Sequence, residues 1–162
     1  MQPTGDRVLT GVLPTRLSRE GRARTGRFGQ LILLNCRADG QAVEAFVDSG
    51  AQYSIGNLAL LSAIGGTAEL DRIDVHGVTG QTLSARPGRV RALRISGRDL
   101  GETPLLFADL HAFEALGLAD RPALLLGADI LYRFDRIVLD YGRGRVAFGA
   151  VRPPFAPPAA SD

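Results

Sequence analysis

The chain has 162 residues, 45% of them hydrophobic and 22% charged, with 20 glycines, 9 prolines and 6% aromatics. That length suits one domain with a real core and is short for two, and the glycine and proline content favours tight turns and therefore β structure. All 19 basic residues are arginine, which excludes lysine Schiff-base chemistry and a P-loop lysine, and the single cysteine, Cys36, excludes an intrachain disulfide.

Charge is uneven along the chain. Residues 1–27 hold six arginines against Asp6 and Glu20, net +4, whereas residues 28–162 hold 13 arginines against 15 acids, net −2. The basic character belongs to an N-terminal extension, residues 1–27. Arginines scattered among Thr, Gly and Ser read as a solvated arm rather than a nucleic-acid or membrane contact. No apolar signal region opens the chain, and the longest charge-free stretch, residues 49–68, is interrupted by Gln52 and Asn57. The reading is therefore no signal peptide, no membrane span and a cytoplasmic default.

Residues 29–37 and 42–48 are β-prone runs separated by Ala38-Asp39-Gly40, an Asp-Gly hairpin signal. Cys36 falls in the first run as a buried structural thiol. The second ends on Asp48, and its Asp-Ser-Gly continuation is also ordinary turn chemistry. A short helix is expected next, capped by Asn57, with Leu58, Leu60, Leu61 and Ile64 as its apolar side and Gly65-Gly66 as its end. Residues 69–96 read as strand, turn and strand, with the turn at 76–81 and a further break at Pro87-Gly88. Another strand pair flanks Gly97-Arg98-Asp99, and residues 109–117 read as a helix capped by Asp109 and closed by Gly117. Residues 123–134 form an apolar strand entering a brief helix, and strands follow at 136–140 and 145–148 around a glycine-rich turn. Pro153, Pro154, Pro157 and Pro158 mark residues 151–162 as a disordered tail, leaving residues 28–150 as the domain.

Residues 141–147 match Gly-x-Gly-x-x-Ala after an apolar strand, but β-prone residues and prolines follow where a dinucleotide-binding turn requires a helix. His76 and His111 are the only histidines and no Gly-x-Ser-x-Gly occurs, so no metal site, no cofactor and no Ser-His triad is read.

Three elements remain, in order: apolar-Asp48-Ser49-Gly50-Ala51, the turn Gly77-Val78-Thr79-Gly80-Gln81, and Leu124-Leu125-Leu126-Gly127 before a short helix. In order and spacing this set resembles the retropepsin-like aspartic proteases over roughly residues 28–149. Residues 123–131 followed by 134–141 resemble bacterial and retrotransposon-derived members in particular. The resemblance implies a mostly β fold, a closed β-barrel of the acid-protease type in a single lobe, with one or two short helices. It implies an aspartic endopeptidase that cleaves a polypeptide substrate, without metal or cofactor.

Such chemistry needs two carboxylates that share a proton, one activating water and one bonded to the scissile carbonyl. No second Asp-Thr/Ser-Gly occurs in the chain. The resemblance therefore implies a homodimer, with Asp48 from each copy meeting at a twofold axis. It further implies that Ser49 bonds across that axis, that Gly50 permits the tight turn, and that Leu125, Leu126 and Gly127 support the loop from behind. Ala51, Gln52, Tyr53, Gly77, Val78, Thr79 and Gly80 would hold an extended peptide. Gln52 and Tyr53 stand where many viral members carry acidic residues, which leaves open a catalytically weak dimerisation or peptide-binding module. A half of a two-lobed protease is the other alternative. Residues 8–13 and 145–151 are the candidate strands for the dimer base.

Overall fold

The Asp39-Gly40 pair forms the turn it predicts: both residues have positive φ, 49° and 81°, the geometry of a two-residue hairpin whose twist matches its strands. The structure, a computed structural model, describes residues 18–19, 22–26, 29–66, 71–77 and 80–153. The described strands and helices, in chain order, are β1 (Ser18–Arg19), β2 (Arg22–Gly26), β3 (Gly29–Ala38), β4 (Gln41–Val47), β5 (Ile55–Gly56), α1 (Leu58–Ala63), β6 (Ile73–His76), β7 (Thr82–Ile95), β8 (Arg98–Phe107), α2 (His111–Ala115), β9 (Ala123–Leu126), α3 (Ala128–Leu131), β10 (Ile137–Asp140) and β11 (Arg145–Phe148).

Six strands close a ring. β3 pairs with β4, β4 with β9, β9 with β5, β5 with β8, β8 with β7, and β7 returns to β3. The expected closed, mostly β barrel is therefore present, with three short helices among the described residues where one or two were expected. β2 and β6 extend it, while β1, β11 and β10 form a separate antiparallel sheet. Ser18–Arg19 and Arg22–Gly26 thus carry paired backbone into the basic segment 1–27; residues 1–17, including the candidate strand 8–13, and residues 154–162 of the tail lie outside the described residues.

The apolar runs are continuous because both faces of their strands are covered. Ile32, Leu34 and Cys36 of β3, Ala45 and Val47 of β4, and Leu124 and Leu126 of β9 pack in one buried cluster with Phe107. The alternate residues Leu33, Phe46 and Leu125 pack in a second with Phe113 and Leu118. Phe113 of α2 meets Phe46 edge to face at 5.7 Å. Period-2 alternation therefore divides two apolar sets rather than an apolar set from a polar one.

Three local expectations change. β7 runs unbroken through Pro87-Gly88, which pairs with Leu106 and Leu105 of β8. Gly88 makes room for Phe107, whose ring would lie 2.9 Å from a Cβ there. The β7–β8 turn is Ser96-Gly97, both at positive φ, so Arg98 and Asp99 belong to β8. Asp109 does not cap α2, whose N-cap is Leu110 without a side-chain bond; its carboxylate accepts the Leu58 N–H at 3.1 Å and helps cap α1 instead.

Candidate active site

β4 and β9 lie side by side and parallel, with Val47 opposite Leu126. Parallel strands end at the same edge of a sheet, so the segments that follow them, Asp48 onward and Gly127 onward, are brought together although 79 positions separate Asp48 from Gly127. The Asp48 N–H donates to the Leu126 carbonyl at 3.0 Å, prolonging the ladder by one residue, after which the chain turns. Within that turn the Gly50 N–H donates to Asp48 Oδ1 at 3.0 Å and the Ala51 N–H to the Asp48 carbonyl at 3.1 Å. Asp48 is half-buried, and Ser49 and Gly50 are exposed. Gly50 has an ordinary negative-φ backbone, so its requirement is space: a Cβ would stand 3.3 Å from Asp48 Oδ1.

The turn is held from behind by a clamp built on Asp129. Its Oδ1 accepts the Ser54 N–H at 2.9 Å, the Ser54 hydroxyl at 2.6 Å and the Ile130 N–H at 2.8 Å. The Ser54 Oγ in turn accepts the Gly127 N–H at 2.9 Å. The carbonyls of Ala51 and Gln52 accept N–H groups of Ala128 and Asp129 at 2.8 and 3.2 Å. Ser54 is buried and Asp129 is exposed, so the network ties the loop to α3 across a part-buried site. Gly127 is the point of closest approach, since a Cβ there would lie 2.6 Å from the Tyr53 carbonyl oxygen and 2.9 Å from that of Ala51.

Leu125 and Leu126 are buried in β9, facing the two clusters on either side of the sheet. Gln52 and Tyr53 are exposed and, with Ile73, Asp74, Val75 and His76 of β6, line a cavity of about 540 Å³. The β6–β7 connection that carries Gly77 and Gly80 therefore stands on a strand sharing that cavity with the Asp48 loop. Gly77 bonds Gln81 and Gly80 in this connection, Gly80 at φ 78°; Val78 and Thr79 lie outside the described residues. His76 Nδ1 lies 3.1 Å from the Thr82 hydroxyl and His111 pairs with Glu114, both in exposed positions. Among the described residues no cluster of three or more His, Cys, Asp or Glu could hold a metal ion, and no helix is long and apolar enough to cross a membrane.

Two groups went unread in the sequence. Ser54 and Asp129 are 75 residues apart, and no local pattern links them. Asn57, read only as a cap, also accepts the Ala123 N–H at 3.1 Å and donates to the carbonyls of Leu118 and Arg121 at 3.0 and 2.7 Å. Its complete burial carries that signal only in three dimensions.

A closed, mostly β barrel of six strands is the fold of a single acid-protease lobe. The aspartyl protease family model matches residues 34–130, more than half of the chain, and the chain belongs to that family. Its fold is retropepsin-like. It is similar to a solved retropepsin-like aspartic protease from Rickettsia conorii, at TM-score 0.61 and 18% identity over 85% of this chain and 94% of that one. The retroviral protease-like domain of Ddi1 from Leishmania major also matches, at TM-score 0.48 and 21% identity over 76% and 94% of the two chains. No curated protein matches the chain significantly.

Proposed function

We propose that the protein is an aspartic endopeptidase that works as a homodimer, each copy supplying one Asp48. The observation that carries this reading is the state of the two carboxylates at the loop. Asp129 turns its Oδ1 to Ser54 and Ile130 behind the loop, whereas Asp48 stands half-buried in the turn itself, beside the exposed Ser49 and Gly50. The carboxylate that the Asp-Ser-Gly turn presents is therefore Asp48, and a twofold axis beside it would provide the second.

One carboxylate of the pair takes a proton from a bound water as the water oxygen attacks the scissile carbonyl carbon. The other, protonated, donates to the carbonyl oxygen as it gains charge. Collapse of the tetrahedral diol returns a proton to the leaving nitrogen and leaves the pair with one shared proton again. Ser49 bonds across the axis, while Ala51, Gln52 and Tyr53 below and the 77–80 turn above hold the peptide extended. The clamp through Leu126, Gly127 and Asp129 keeps the carboxylate in place during these proton transfers.

Asp48→Asn is expected to keep the dimer, measured by light scattering, and to abolish cleavage in a mixed-peptide digest. Because the pair needs one proton, cleavage by the parent falls as pH is taken strongly alkaline. Parent-like cleavage by Asp48→Asn would overturn the assignment. A dimer that binds peptides without cutting them identifies a peptide-binding module, the reading that Gln52 and Tyr53 leave open, and a stable monomer points to one half of a two-lobed protease.

A further inference from the structure

A second cavity, of about 670 Å³, lies between the β3–β4 hairpin, the Ser96-Gly97 turn and the segment entering β9. It is separate from the Asp48 loop: Glu44, the lining residue nearest in sequence, precedes Asp48 by four residues along β4, roughly 13 Å. Its lining carries three guanidinium groups, Arg37, Arg94 and Arg121, against one carboxylate, Glu44.

All three arginines are exposed, and two of them are set against each other. Arg37 and Arg94 are directly opposite in the antiparallel β3–β7 pairing, where like charges destabilise a sheet. Arg37 donates to the carbonyl of Gly40 at 3.1 Å, while the Arg94 guanidinium makes no ion pair or hydrogen bond with another described residue. Arg121 approaches Glu44 Oε1 at 3.7 Å, and Glu44 Oε2 is buried with no hydrogen-bond partner. The cavity thus offers guanidinium forks to an anion, while Glu44 Oε2 is closed off from it. A carboxylate fits such a fork. An acidic peptide segment brings several carboxylates on one chain to the three arginines of the lining.

We propose that this cavity is an exosite that holds an acidic stretch of a polypeptide away from the cleavage loop. That the polypeptide is a substrate rests on the endopeptidase reading; the binding itself does not.

The test uses the full chain carrying Asp48→Asn, so that cleavage plays no part, titrated into a fluorescein-labelled ten-residue peptide rich in Asp and Glu and read by anisotropy. The acidic peptide is expected to bind and its Gln/Asn counterpart not to. Arg94→Gln and Arg37→Gln are each expected to weaken binding about tenfold, the loss of one charge-assisted hydrogen bond. Arg143→Gln, in the β10–β11 turn, is expected to leave it unchanged. Equal binding by Arg94→Gln with a parent-like circular dichroism spectrum overturns the proposal, and if that variant misfolds, equal binding by a folded Arg121→Gln does the same. So does equal binding of the neutral peptide, or displacement by inorganic phosphate at the peptide's own concentration, which would mark a simple anion site. A parent protein that cuts nothing while the Arg94-dependent binding persists refutes the endopeptidase and leaves the exosite standing.

Discussion

Gly127→Ala isolates the contact on which the Asp48 loop rests. Gly127 has φ −95° and ψ −175°, an extended conformation open to any residue, so the substitution adds no backbone strain and tests space alone. The new methyl carbon would lie 2.6 Å from the Tyr53 carbonyl oxygen, 2.7 Å from its carbonyl carbon and 2.9 Å from the Ala51 carbonyl oxygen. These are backbone atoms and cannot swing aside. Restoring ordinary contact requires residues 51–53 to retreat by about 0.5–1 Å, and the same movement stretches the bonds from Ala128 to Ala51 and from Asp129 to Gln52. Overpacking of this kind costs about 1–3 kcal/mol, and weakening of the two bonds raises the expected loss to about 2–4 kcal/mol. For a domain of this size that lowers the melting temperature by roughly 5–12 °C. Urea unfolding followed by circular dichroism is expected to show a lower midpoint with an unchanged slope. Gly142→Ala is the control. A Cβ there meets only Asp140 Oδ1 at an ordinary 3.5 Å, and its stability is expected within about 1 kcal/mol of the parent. A Gly127→Ala protein that unfolds at the parent's urea concentration would refute the argument that this approach holds the loop.

The other partners of the loop give graded expectations. Ser54→Ala removes the acceptor of the Gly127 N–H and a donor to Asp129 at a buried site, and is expected to cost about 1–3 kcal/mol in urea unfolding. Asn57→Ala strips the α1 cap together with the bonds to Ala123, Leu118 and Arg121, so its loss is expected to exceed that of Ser54→Ala by the same measurement. Asp109→Ala removes an exposed cap and is expected to cost about 0.5–1 kcal/mol. Hydrogen exchange should quicken at Leu58 and not at Phe113; the reverse would restore Asp109 to α2.

Much of the fold was legible because it is local. The Asp39-Gly40 turn needs only a pair that tolerates positive φ, and the Asn57 cap needs only a side-chain oxygen three residues before Leu60, whose N–H it accepts at 2.9 Å. Errors arose where a remote neighbour decided. Pro87-Gly88 looks like a break, yet Phe107 from β8 fills the space a side chain would take and the strand continues. Asp109 sits in cap position by spacing, but the start of α1 is within its reach.

By itself the sequence determined that a carboxylate follows an apolar strand on a Ser-Gly turn, that an apolar strand ending in glycine comes later, and that two histidines leave little room for other hydrolytic chemistry. Their order pointed to the aspartyl protease family to which the chain belongs. Only the tertiary structure decided how these pieces meet. The parallel pairing of β4 with β9 brings Asp48 and Gly127 to one edge, and Asp129 Oδ1 ties Ser54 behind the loop. Burial and strand pairing act across the whole chain, and a pattern read a few residues at a time does not contain them.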